Sequence, residues 1–317
     1  MTTATNVVSL FAPSRAPQAP TASRLTLLDS LANAGMFYDV EMRDNLTPDN
    51  EGNLTPTGSA TIFNKTANIP IAVMSKSYNI VQNRDVFETF NRVLAKSAID
   101  LEGAYIRASA TPTGSRASVE YVFPKIKAEV RVGDIVHFSL KVIHSFDGST
   151  SFITTAQGYR LACLNGMVMA SGITSYKARH SNQLDIDKAA RIVVGAIEIF
   201  MENAEEWKRQ STTTTTDETA YRALAELSGF DDFALAPTYT AYTQEVRSKL
   251  QRQPVLVKYM ALWEKYKAEL GNTLWALNNT MTDISTHGVG NIAATINYRM
   301  TKEEKVSDLL RKYCAVA

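Results

Sequence analysis

The middle of the chain alternates apolar and polar positions with a period of two, and the segments on either side space their apolar residues at three and four. The clearest alternation runs through Val136, Phe138, Leu140 and Val142, interleaved with His137, Ser139 and Lys141. Such a strand buries one face and leaves the other polar. Asp147-Gly148 follows and supplies the positive φ that a tight hairpin favours. With a two-residue loop there, Val142 stands opposite Ile153 and Lys141 opposite Thr154. Residues 104–108 and 117–123 flank Pro112-Thr113-Gly114-Ser115 in the same way and predict a second antiparallel pair.

Residues 71–74 and 77–81 are rich in strand formers, and Asn83 and Asp85 offer N-cap chemistry to a helix carrying Val86, Phe87, Phe90, Val93 and Leu94. From Asp185 an apolar stripe through Ala189, Ile192, Val193, Ala196, Phe200, Met201, Ala204 and Trp207 predicts one long helix ending at the Ser/Thr run 211–216. Further helices are predicted at 217–228, 240–270 and 302–314, and 44–61 reads as an exposed loop between short strands. The expected fold class is α+β: an antiparallel β-sheet core with packed helices and a mainly helical C-terminal third. Residues 1–23, rich in Ala, Pro, Ser and Thr, read as a flexible N-terminal arm. The α+β core domain then spans 24–210, and a helical region over 211–317 packs on it.

Composition narrows the class without naming a function. The 317 residues are 45% hydrophobic, carry a net charge of +1 and include 2 Cys, which excludes a disordered tail, a collagen-like fibre and a disulfide scaffold. No apolar run approaches the roughly 18 residues of a membrane span. The two cysteines are far apart in sequence, so a reduced cytoplasmic protein with free thiols is expected. His137, His144, His180 and His287 show no metal-ligand spacing, and no phosphate loop or dinucleotide fingerprint occurs. No catalytic residue, metal or cofactor is assigned.

Charge is not evenly spread. Between Gly103 and Gly195 eleven bases face six acids, and Tyr105, Tyr121, Tyr159 and Tyr176 are interleaved with them. Cations for phosphates and aromatic rings for bases are what a single-stranded nucleic-acid surface needs. The candidate binding residues are Lys125, Lys127, Arg131, Lys141, Tyr159, Arg160, Asn165, Tyr176, Lys177, Arg179 and His180. The expected partner is single-stranded DNA, bound by a ring- or filament-forming homo-oligomer. An enzyme acting on nucleic acid or nucleotide is the alternative, with Arg160, Cys163, Asn165 and His180 converging on one pocket. A structural or counter-defence protein that binds a host protein is a third possibility.

Five segments carry a resemblance: Tyr78-Asn79-Ile80-Val81-Gln82-Asn83, His144-Ser145-Phe146-Asp147-Gly148-Ser149, Arg160-Leu161-Ala162-Cys163-Leu164-Asn165, Ala178-Arg179-His180-Ser181, and the stretch from Thr273 through Trp275 and Asn278-Asn279 to His287. In this order they resemble the phage and plasmid proteins grouped as domain of unknown function 932. Gly166 and Asn279-Thr280 depart from that pattern. The resemblance implies a bacteriophage or mobile-element protein working in the host bacterial cytoplasm, and it implies no settled activity. The succession of helix, hairpins and long helix is also similar, at fold level, to Rad52-like single-strand annealing proteins.

Overall fold

The structure, a computed structural model, describes residues 26–97, 99–162, 165–167, 175–181, 183–230, 253–288 and 296–315, with the backbone alone described at 165–167 and 296–301. The expected arm over 1–23, Cys163 and the part of the predicted 240–270 helix before residue 253 lie outside the described residues.

The chain is α+β, with two antiparallel sheets. The smaller has the order β1 (Val40–Pro48), β2 (Leu54–Asn64), β3 (Ile69–Ser75). The larger runs β4 (Tyr105–Ala110), β5 (Arg116–Arg131), β6 (Asp134–Ser145), β7 (Phe152–Arg160). Two short strands share the outer edge of β7: β8 (Asn165–Met167) pairs its end, and β9 (Ser175–Ala178) pairs its beginning. The helices are α1 (Leu27–Asn33), α2 (Asn83–Lys96), α3 (Ile186–Val194), α4 (Ile197–Thr212), α5 (Asp217–Ser228), α6 (Pro254–Leu270), α7 (Leu274–His287) and α8 (Ile296–Tyr313).

Alternation along β5, β6 and β7 assigns Val119, Tyr121, Phe123, Phe138, Leu140, Val142, Phe152 and Ala156 to one face, where they are fully buried. Helices cover that face through rings in edge or tilted contact: Phe138 to Phe200 at 5.4 Å, Phe200 to Trp207 at 5.8 Å, and Trp207 to Trp275 at 6.1 Å. On the other side of the sheet centre Phe90 of α2 stacks on Tyr121 at 6.2 Å. One continuous cluster therefore takes in the large sheet and α1 to α8.

The structure corrects several local expectations. The stretch 44–61 is mostly paired strand, and its turn is confined to Asp49–Asn53, where the Asp49 carboxylate accepts the amides of Glu51 and Asn53. The N-cap of α2 is Gln82, while the Asn83 side chain donates instead to the Met36 carbonyl at 2.8 Å. The long helix predicted from Asp185 breaks at Gly195-Ala196 into α3 and α4, because the Ala196 amide turns to the Val193 carbonyl in a tighter 3₁₀ step. The β6–β7 register is one residue from the two-residue-loop expectation: Val142 faces Thr154 and Lys141 faces Thr155. A wider loop causes this, with Gly148 at φ +68° and the Ser145 hydroxyl bridging both to and from the backbone of Thr150. That single step moves Ile153 off the core face and puts Phe152 on it.

Two helices, α1 and α7, were not predicted. Helix α7 is buried on every side, from Leu274 through Thr282 and again at Ile284, Ser285 and Thr286, so it has no polar stripe to betray a period. Its polar side chains donate inside the core: Asn279 to the Trp275 carbonyl, Thr280 to Ala276, Thr282 to Asn278, and Asn278 to Gln210 of α4.

The small sheet joins the large one at the β4–β5 turn. Tyr38 donates to the Gly114 carbonyl at 2.8 Å and Asn64 to the Thr113 carbonyl at 3.1 Å. Gly114 has φ +74°, and a Cβ there would stand 2.8 Å from Asn64 Nδ2 and 2.9 Å from the Tyr38 ring. The Gly114→Ala substitution is therefore expected to cost about 1–3 kcal/mol in urea-induced unfolding, a sum of αL strain and displaced neighbours. An unchanged midpoint would show that the two sheets are not coupled through this turn.

Candidate functional site

The face of the large sheet opposite the core is polar along its whole width. Arg107 faces Glu120, Glu120 faces Lys141, and Lys141 faces Thr155, while the next rung pairs Ser139 with Gln157. Glu120 is the hub: its carboxylate accepts from Arg107 at 2.7 Å, Ser139 at 3.0 Å and Gln157 at 2.7 Å. The Arg107 guanidinium also lies over the Tyr159 ring at 4.7 Å. The half-buried Tyr105 belongs to the same face, and burial first, then Glu120, raises its hydroxyl pKa against the opposing pull of Arg107.

The predicted binding residues separate into three groups. Lys127, Tyr159, Lys141 and Lys177 belong to this polar face by register. Of these, Tyr159 is buried and Lys141 is held by Glu303 of α8 at 2.5 Å. Lys125 pairs with Glu102 at 3.1 Å, and Arg131 donates to the Leu270 carbonyl, where it caps the end of α6. Lys127, Lys177 and Arg179 are exposed and, among the described residues, have no carboxylate partner. The local excess of bases is thus largely spent inside the fold, since Arg107, Arg116, Lys125, Lys141, Arg160 and Arg191 all sit in ion pairs.

Arg160 occupies the opposite, core face. It is 1% exposed and grips Asp134 with two hydrogen bonds, Nε to Oδ1 at 2.6 Å and Nη2 to Oδ2 at 2.9 Å. A third bond reaches Glu269 at 3.1 Å, and the Trp275 indole donates to the same Asp134 at 2.8 Å. Arg160 is therefore a tie between strands and helices. Asn165 pairs through its backbone with Arg160 on β8.

Tyr176 and His180 lie at the other end of β7. Tyr176 packs edge-on against Phe152 at 6.4 Å and its hydroxyl accepts the Asp185 amide. His180 stacks on Tyr78 at 5.5 Å and stands 5.9 Å from His144. Because Arg160 closes β7 and Ala178, two residues before His180, pairs with its first residue, the two ends are about 26 Å apart along the strand. The pocket imagined for Arg160, Cys163, Asn165 and His180 does not form, Cys163 being outside the described residues.

Three of the five family-like segments meet around His180. Tyr78 donates to the Ser145 carbonyl at 2.8 Å, the Asn79 side chain to the Ser181 carbonyl at 3.2 Å, and the Asn79 amide to the His180 carbonyl. The other two meet where Arg160 and Trp275 share Asp134. Both rings of the pair are pushed toward the neutral form. Burial, with a smaller contribution from His180, takes His144 down to about 3, and burial alone takes His180 down to about 4. The sequence pointed to His180 but gave no signal for its partnership with His144, which needs the β6–β7 and β7–β9 pairings together.

A family model described as a domain of unknown function (DUF932) matches residues 70–312, and the chain belongs to that family. No curated protein and no solved structure matches it, so the fold-level similarity to Rad52-like proteins gains no support. Among the described residues no helix is long and apolar enough to cross a membrane.

Asp134→Ala leaves the Arg160 guanidinium buried beside a lone, half-exposed Glu269, and is expected to cost about 3–5 kcal/mol in urea unfolding. Trp275→Phe removes one hydrogen-bond donor and some packing; a loss as large as that of Asp134→Ala would overturn the central place given to the ion pair. The histidines set a pH dependence. Their folded pKa values lie below the ordinary 6.5, so stability is full above about pH 6.5 and falls as the pH drops toward 4. Each group contributes a slope of about 1.4 kcal/mol per pH unit in that window. Urea midpoints between pH 7.5 and 4.5 should flatten in His180→Phe, and an equal slope in that variant would refute the assignment.

Proposed function

We propose that this protein binds single-stranded nucleic acid across the polar face of its large sheet. The observation that carries the reading is that Lys127, Lys177 and Arg179 remain exposed and, among the described residues, without carboxylate partners, while Lys125, Lys141 and Arg160 nearby are each paired with an acid. By strand spacing Lys127 on β5 and Lys177 on β9 are about 20–25 Å apart, the reach of a few nucleotides across the sheet. Phosphates engage these three cations, and the half-buried Tyr105 is the ring of this face nearest in kind to a base-stacking platform, Tyr176 being turned to the core face. Buried Arg160, Lys141 and Tyr159 support the face from within. The setting that goes with this reading is phage or mobile-element recombination or replication in bacterial cytoplasm, with several copies along one strand.

Fluorescence anisotropy with a labelled single-stranded oligonucleotide tests it. Affinity is expected to fall with salt, and replacing Lys127, Lys177 and Arg179 together by Ala should reduce the slope of log affinity against log salt by about 2. Lys125→Ala, whose cation is already paired, should change it little. Wild-type protein that fails to bind at low salt, or a triple variant with the wild-type slope, excludes this surface.

A further inference from the structure

His144 and His180 pose a separate chemical question from the polar face. Among the described residues neither nitrogen of either ring has a hydrogen-bond partner, and all four are buried from solvent. A neutral imidazole carries one donor and one acceptor, and leaving both unmatched in a core costs on the order of 1–3 kcal/mol per group. One orphaned ring is a local defect, but two adjacent ones share a single explanation. His144 is 0% exposed and is enclosed by Phe146 at 5.1 Å and Phe152 at 6.1 Å, with Tyr78 stacked on the far side of His180.

We propose that His144 and His180 together ligate one monovalent, two-coordinate d10 metal ion, of which copper(I) is the chemical type. Spacing argues for an ion between the rings. A metal bound about 2 Å from a ring nitrogen lies about 3 Å from the ring centre, so two imidazoles nearly in line across one ion stand about 6 Å apart. The observed separation is 5.9 Å. Two imidazoles at a tetrahedral angle would bring the centres to about 5 Å.

Charge argues for the monovalent class. Among the described residues no three His, Cys, Asp or Glu side chains gather at a common point, so there the two imidazoles are the contribution of those types. Asp147, whose charge reaches Tyr78, is engaged by Arg116 and Ser149. A divalent ion would bring two uncompensated charges into an aromatic enclosure, whereas a soft monovalent ion brings one and accepts low coordination. Met74 packs in the same small cluster as Phe146 and Tyr78 and adds a thioether of the soft class to the surroundings.

Anaerobic titration of the full chain with copper(I), in competition with a chromogenic copper(I) chelator, decides the matter. One equivalent should be retained, and it should be lost in His180→Phe and in His144→Phe but kept in His137→Ala, His287→Ala and Cys163→Ser. Silver(I) should bind with the same dependence, excess zinc(II) should not displace either ion, and X-ray absorption should report two imidazole nitrogens. His180 is only partly buried, so His180→Phe carries the test if His144→Phe does not fold. Failure to retain one equivalent, retention in folded His180→Phe, or displacement by zinc(II) would overturn the proposal.

Discussion

A guanidinium inside the core is the constraint on which the architecture turns. Arg160 ends β7 on the same face as Phe152 and Ala156, where a charge is tolerable only with a carboxylate in register. Asp134, the first residue of β6, supplies it in bidentate form, and Trp275 and Glu269 bring α7 and α6 to the same point. Arg131, just before Asp134, caps α6 through the Leu270 carbonyl. The tight β5–β6 turn therefore does more than reverse the chain, since it fixes where the helical layer begins. An arginine whose motif suggested ligand binding is in fact the bolt between two layers.

The large sheet separates its chemistry by face. On one side aromatic and aliphatic side chains meet the helices; on the other, polar groups satisfy one another around Glu120. The consequence for function is subtractive. Six of the eleven cations of the central window sit in ion pairs, with acids of the window itself such as Glu120 and Asp134 or with Glu102 and Glu303 from outside it, so a local charge count overstates what can reach a phosphate. Lys127, Lys177 and Arg179 are among those the fold leaves exposed.

Legibility in the sequence followed exposure. Helix α5 was readable over 217–228 because Thr216 caps it and one side faces solvent, and the alternation of β6 was readable because one face is apolar and the other carries His137, Ser139 and Lys141, although both are buried. Helix α7 was invisible for the converse reason: Asn278, Asn279, Thr280 and Thr282 look like surface residues, yet each is buried. The β6–β7 register missed by one residue because the Asp147-Gly148 signal fixes a turn but not the number of residues that it spans. Lys141 and Tyr159, expected on an accessible surface, lie on the polar face but are buried, while Arg160, adjacent to Tyr159, necessarily points the other way.

By itself the sequence determined the class of fold, the central antiparallel meander, the amphipathic helices and the family to which the chain belongs. These are properties of local periodicity and of short contiguous motifs, which survive without knowledge of the rest of the chain. Only the tertiary structure decided which cations are spent in ion pairs, that α7 is a buried axis, and that Tyr78, His144 and His180 stand together although 102 residues separate the segments of Asn79 and Ser181. The physical reason is that a side chain's chemistry is set by its partners and by its distance from water. Both are fixed by pairings across the sheet that leave no periodic trace in the chain.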